Sequence, residues 1–248
     1  MSARLPLEIA ASSLASALAA QAGGADRVEL CENLGEGGCT PSSGTIALAR
    51  ERLRIPLHVL IRPRGGDFLY DEAEREVMLH DIAHCAQLGC DGVVIGALDA
   101  AGSVDMATCG ALRAAAGDMA VTFHRAIDVA VDPLAALDAA IALGCARVLT
   151  SGGRDTALAG AQHIAAMVAH AAGRVRIMAA AGVDAANVAQ LLRASRADEV
   201  HASATAMRRS TMAHRAALAG LAPDWRQTDL ERVRALRAAL DDYAAQRN

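Results

Sequence analysis

Short apolar runs recur along the chain, and between them lie longer Ala-rich segments whose apolar positions repeat at helical spacing. The runs predict strands at Leu5–Ala10, Arg27–Cys31, Leu57–Arg62, Gly92–Ile95, Val121–His124, Arg147–Thr150, Arg176–Met178 and Glu199–Ser203. Helices are predicted over Ser13–Ala22, Ser42–Arg52, Asp71–Leu88, Asp105–Ala116, Asp132–Leu143, Asp155–Ala172 and Ala185–Arg193. Several begin at Ser or Asp, whose side chains accept the free amides of a first turn, and several are followed by Gly, which suits a helix end. Strand and helix alternating in this way predict an α/β protein, a TIM-type (β/α)8 barrel with its helices outside. The competing arrangement is an open doubly wound sheet, but no G-x-G-x-x-G follows the first strand. The barrel is expected over residues 1–205 as a single domain. A C-terminal extension, 206–248, carries a helix at about 229–246. Leu230, Val233, Leu236, Leu240 and Tyr243 give that helix one apolar stripe. The stripe is expected to pack on the barrel or on a second subunit, with Trp225 as an anchor.

Side chains alternate across a strand. If Leu5, Leu7, Ile9, Val28, Leu30, Leu57, Val59, Ile61, Val121, Phe123 and Val200 face the helices, then Glu8, Ala10, Arg27, Glu29, Cys31, His58, Leu60, Arg62, Thr122, His124, Glu199, His201 and Ser203 face the interior. Barrel interiors are usually filled with branched aliphatics, and an unpaired buried charge costs several kcal/mol or more. These groups are therefore either a self-satisfied cluster of ion pairs or a site at the C-terminal mouth. The stretch Val121–Asp128 is central, because an apolar strand there ends abruptly in His124, Arg125 and Asp128. For an enzyme, Glu8, Glu29, His124 and His201 are the candidate catalytic groups, through carboxylate and imidazole proton transfer. Arg62, Arg64 and Arg125 are candidates to clamp an anionic substrate, with Asp67 and Asp128 beside them in the same loops. Thr150, Ser151, Gly152 and Gly182 close strands six and seven, where small residues leave backbone amides open to an anion.

Composition narrows this picture. Aromatic residues are only 2% of the 248, so the core is built from Leu, Val, Ile and Ala. A net charge of −4 argues against a nucleic-acid or anionic-membrane partner. No apolar run approaches a membrane span or a secretory leader, and a cytoplasmic protein is expected. The six cysteines contain no C-x-x-C and read as reduced thiols. Glu76, His80 and His84 repeat every fourth residue on one helix, but Met78, Ile82 and Cys85 mark the buried face, so these histidines are expected in solvent.

Five blocks carry a resemblance to a known family: Ala25–Cys31, Glu36–Ser42, Ile61–Phe68, Thr122–Ala126 and Val148–Gly152. In this order they resemble the CutC family, named for copper homeostasis, over about residues 5 to 205. The resemblance implies a cytoplasmic TIM-type barrel, a homodimer or higher homo-oligomer, and a link to copper. Ala10 stands where the family usually has Cys, and Cys39 where it usually has Leu. Cu(I) favours soft thiolate ligands, so Cys31 at the mouth and Cys39 in the following loop are the candidate metal ligands. Two functions compete: a Cu(I)-binding homeostasis protein, and a barrel enzyme acting on a small anionic or carbohydrate-like metabolite.

Overall fold

The computed structural model describes residues 4–216, 218 and 221–246. Eight parallel strands close into a barrel: β1 (Leu7–Ala11), β2 (Arg27–Leu30), β3 (Leu57–Leu60), β4 (Gly92–Ile95), β5 (Ala120–Phe123), β6 (Arg147–Thr150), β7 (Arg176–Ala179) and β8 (Glu199–Ala202). Outside lie α1 (Leu14–Ala22), α2 (Ser43–Arg52), α3 (Glu72–Gln87), α4 (Met106–Ala115), α5 (Pro133–Ala142), α6 (Ala161–Ala171) and α7 (Val188–Ser195). Ser13, Ser42, Asp71, Asp105 and Asp132 each cap a first turn by accepting a backbone amide. Asp71 and Glu74 form a reciprocal capping box.

The alternation of side chains holds around the barrel. Leu7, Ile9, Val28, Leu30, Leu57, Val59, Ile61, Val121, Phe123 and Val200 all belong to one buried cluster between sheet and helices. Each such side chain contributes about 1.5–3 kcal/mol by leaving water. The interior holds two smaller apolar groups instead, Ala10, Cys31, Leu60 and Val94, and Leu149, Met178 and Ala180. Charged and imidazole side chains fill the rest of the interior.

Four expectations need correction. The helix expected from Asp155 starts at Ala161, because residues 155–160 close against the neighbouring loops. There Ala157 donates to the Ala181 carbonyl at 2.9 Å, and Gly160 packs on Ser151 with no space for a Cβ. Beyond the barrel, β9 (Thr205–Arg208) and β10 (Trp225–Thr228) pair antiparallel, a hairpin whose long connection hides it from any turn signal. Trp225 is half exposed and lies in β10, paired with Arg208. The last helix, α8 (Leu230–Ala245), packs on α1 and α7 of the barrel through Val233, Leu236, Leu240 and Tyr243. Gly23 makes that seat possible, since a Cβ there would meet Val233 at 2.5 Å. Finally, His80 is exposed as expected, but His84 is half-buried and its Nε2 has no partner among the described residues. No helix among the described residues is long and apolar enough to cross a membrane.

Candidate functional site

Strand register places the polar interior in rows. His201 of β8 lies level with Glu8 of β1, and Glu8 lies level with Arg27 of β2. Glu29 sits one step nearer the mouth, paired with Ala10. Because Ala10 is small, Glu29 reaches over β1 towards His201.

The lower row is an ion-pair network. Arg27 bridges Glu8 and Glu199, the second at 2.7 Å, and also touches the Met178 sulfur at 3.4 Å. Arg147 reaches Glu199 at 3.2 Å. Burial opposes ionisation of Glu8, but Arg27 and His201 outweigh it and hold its pKa well below the usual carboxylate range. His58 is buried beside them, and burial pushes its pKa down to about 4, so it is neutral. Gly92 allows this, since its Cβ would sit 2.6 Å from the His58 ring.

The upper row faces an opening. The Glu8 carboxylate accepts from His201 Nδ1 at 2.8 Å, which turns Nε2 towards Glu29 at 3.5 Å. Burial pushes the Glu29 pKa up, with His201 pulling it back, to about 7. Burial disfavours charge on His201, but Glu29 and Glu8 overcome it and raise its pKa. Glu29 therefore titrates near neutrality beside a His201 ring that ionised Glu8 holds in place.

Glu29 and His201 line a cavity of about 220 Å³ at the C-terminal mouth, together with Cys31, Arg62, Phe68, His124, Arg125 and residues 180–183. His124 Nδ1 accepts the Ala126 amide at 3.1 Å, and burial first, then Arg62, lowers its pKa to about 3. The ring is thus neutral with its proton on Nε2, which has no partner among the described residues. Arg62 is held rigidly: its terminal nitrogens donate to the carbonyls of Glu36, Gly38 and Gly66 at 2.7–2.8 Å, and its plane lies over Phe68. The Arg62 side chain also bonds to Tyr70, whereas His124 Nε2 is a buried donor without an acceptor among the described residues. Each unmet donor of this kind costs about 1–3 kcal/mol, which a ligand oxygen would recover.

Of the residues expected at the site, Glu29, Cys31, Arg62, His124, Arg125, Gly182 and His201 line this cavity, and Glu8 lies directly beneath, bonded to His201. The others do not line it. Arg64 pairs with Glu74 and with exposed Asp67, outside the mouth. Thr150 faces the helices, with Met167 of α6 at 3.8 Å, because Leu149 before it points inward. Asp128 is engaged within the chain: its buried carboxylate accepts from Thr150 Oγ1, from the Ser151 and Gly153 amides at 3.0 and 3.1 Å, and from Arg125 at 2.8 Å. The amides around Ser151 and Gly152 therefore already hold an anion from within the chain. The sequence reading missed the parts played by Phe68, Arg147 and Val183. Parity along β6 placed Arg147 inward, two residues before Leu149, and was the available signal for it.

Of the two candidate thiols, Cys31 lines the cavity and Cys39 does not. Cys31 is buried, and burial and then Glu29 push its thiol pKa well above the ordinary value. Cys39 is half-buried in an isolated bridge with Glu32 and does not line the cavity. Among the described residues, the group with ligand-like spacing is Glu8, Glu29 and His201, whose donor atoms lie within 4.8 Å of one another. Oxygen and imidazole donors do not suit Cu(I). Moreover, Glu8 commits its two oxygens to Arg27 and His201. Glu8 and Glu29 thus meet through the His201 ring, at 2.8 and 3.5 Å.

Comparison with known proteins agrees with this architecture. A protein named CutC from Xylella fastidiosa (strain 9a5c) is 56% identical over 250 residues, covering 99% of this chain and 92% of its own. Another from Xanthomonas axonopodis pv. citri (strain 306) is 56% identical over 235 residues, covering 94% of this chain and 98% of its own. The crystal structure of CutC from Streptococcus agalactiae, whose name carries copper homeostasis, superposes with a TM-score of 0.77 at 32% identity, over 80% of this chain and 98% of that one. Residues 5–206 match the CutC family as a whole. The chain belongs to the CutC family.

Proposed function

We propose that the barrel mouth is an acid–base site that moves a proton on a small anionic hydroxy- or oxo-metabolite. The observation that carries this reading is Glu29, a buried carboxyl with a pKa of about 7, coupled through His201 to ionised Glu8 and opening on a cavity. A general base works best with its pKa near the working pH. In the proposed step, Glu29 takes the proton from a carbon next to a carbonyl, and the C–H electron pair passes to the carbonyl oxygen. The developing oxyanion is met by His124 Nε2–H and by the Arg62 guanidinium, fixed donors that need no reorganisation. The proton returns from Glu29 to the same or the neighbouring carbon, with His201 sharing charge throughout. Leu34, Leu60, Phe68 and Val183 thin out water around these groups and strengthen their electrostatics.

Solvent-deuterium incorporation tests this. A panel of α-hydroxycarbonyl compounds in D2O, followed by proton NMR, is expected to show enzyme-dependent exchange for at least one member. Glu29→Gln is expected to slow that exchange by on the order of 10³-fold. No exchange across the panel, or equal exchange with the variant, overturns the reading.

A second reading, copper binding in copper homeostasis, is favoured by one feature, the Cys31 thiol in the cavity wall, and by the name of the Streptococcus agalactiae relative. The raised thiol pKa and the absence of Cys39 from the cavity lining weigh against it. Cu(I) titrated under reducing conditions is expected to bind wild type and Cys31→Ser equally and weakly. Binding tighter in wild type by about 10-fold or more, ~1.4 kcal/mol, would restore the copper reading.

A further inference from the structure

We propose that the loop after β7, with Ser203 and the C-terminal extension, forms a subsite for a phosphate monoester, so that the substrate is a phosphorylated small metabolite. The proposal rests on the acid–base reading only for what happens at the other end of the substrate.

Two neighbouring loops make the case by contrast. After β6, Gly152 and Gly153 have φ of 70° and 66°; after β7, Ala181 and Gly182 have φ of 81° and 66°. Successive amides in such turns converge on an anion. In the first loop that anion is built in, the Asp128 carboxylate held by the Ser151 and Gly153 amides. In the second loop the amides of Ala181, Gly182 and Val183 have no acceptor among the described residues. Ala181 adopts this conformation although it is not glycine, which costs roughly 1 kcal/mol.

Position adds to this. Gly182, Val183 and Ser203 line the catalytic cavity and also a second cavity of about 470 Å³ on its outer side. Arg226 and Arg232 wall that second space. The Arg226 side chain is exposed and has no partner among the described residues. Arg232 spends one nitrogen on the Thr205 carbonyl at 2.7 Å. The one carboxylate in this lining, Asp184, is turned to the Ala186 and Asn187 amides at 2.9 and 3.0 Å. Unmet amides, a hydroxyl and two guanidinium groups suit the three terminal oxygens of a phosphate dianion better than the two of a carboxylate. On the catalytic side, the buried His124 Nε2–H is likewise without an acceptor among the described residues. Ser203 follows His201 by two residues, roughly 7 Å along the strand direction, so a short-chain phosphate would place its reacting carbons near Glu29. Arg226 and Arg232 lie beyond the segment that matches the family, residues 5–206. Recognition of the phosphate thus draws on the extension.

Inorganic phosphate is the probe, titrated calorimetrically into the full chain, with acetate as the control anion. Phosphate is expected to bind at least about 10-fold tighter than acetate. Arg226→Ala, a change at an exposed side chain, is expected to weaken phosphate by about 10-fold. Ser203→Asp, which sets a carboxylate beside the loop as Asp128 does next door, is expected to abolish binding. Glu29→Gln is expected to leave phosphate affinity unchanged, so that failure of the subsite and failure of the acid–base reading are told apart. No phosphate binding by wild type at about 10 mM, or affinities equal in wild type and Arg226→Ala, overturns the proposal.

Discussion

Arg27→Met is expected to destabilise the fold by about 3–5 kcal/mol and to lower Tm by on the order of 10 °C. Arg27 is the cation between Glu8 and Glu199, and both carboxylates are almost wholly buried. Methionine replaces the aliphatic stem of the side chain but leaves two like charges in the barrel, with His201, Arg147 and Arg176 as the remaining ion-pair partners among the described residues. The pH dependence should change as well. In wild type the Glu8 pKa is depressed below its ordinary 4.5, so its contribution is present above that value and is lost as pH falls below it. Without Arg27 burial dominates, the Glu8 pKa rises, and the variant should recover stability on mild acidification. Adding Glu8→Gln to Arg27→Met should restore part of the loss, because a neutral amide no longer needs the cation. Chemical denaturation of the single and double variants measures this. A loss below about 1 kcal/mol in the single variant would mean that water reaches the row and that the network is not a sealed layer.

That layer also shows what was legible before any coordinates. Alternation along single strands was enough to bring Glu8, Arg27, Glu29, Arg62, His124 and His201 inside, because one buried face forces the other residues inward. Alternation says nothing about the level at which neighbouring strands meet. The row His201–Glu8–Arg27 and the step up to Glu29 depend on register across three strands, a long-range property of barrel closure. Hence the division between a self-satisfied cluster and an open cavity was invisible: an ion-pair network lies beneath and a cavity above it. Loops were the least readable. Asp128 looked like a rim carboxylate, yet it folds back under Ser151, and only the amides around it decide that. Thr150 was expected to close its strand, and its parity was readable, since Leu149 inward sets Thr150 outward. The β9–β10 pairing joins residues separated by a long connection and carries no local turn signature.

Glu29→Gln is expected to make the protein more stable at pH 8 while removing the proposed proton transfer. The Glu29 pKa is about 7 in the fold against an ordinary 4.5. The folded chain therefore holds this proton more tightly than the unfolded chain. The associated stability is fully present below about 4.5 and is lost as pH rises through about 7. Above that, wild type carries an ionised carboxylate in a buried site at a cost of up to about 3 kcal/mol. Glutamine resembles the protonated form and does not bear that cost, although it also deprives His201 of one of its two carboxylate partners. A gain of about 1–3 kcal/mol over wild type at pH 8 follows, shrinking towards zero near pH 5. His58 and His124 act with the opposite sign in both proteins. Their pKa values fall from 6.5 to about 4 and about 3, so their contribution is whole above 6.5 and is lost as pH falls towards those values. Both proteins should therefore weaken in acid, and only the difference between their curves isolates Glu29. Denaturant unfolding from pH 5 to pH 8 gives that difference directly. Parallel curves would place the Glu29 pKa near that of an ordinary carboxyl and would take away the base on which the proposed reaction turns. A variant that is more stable in alkali and inactive would instead show a carboxyl kept at the barrel mouth against the interest of the fold.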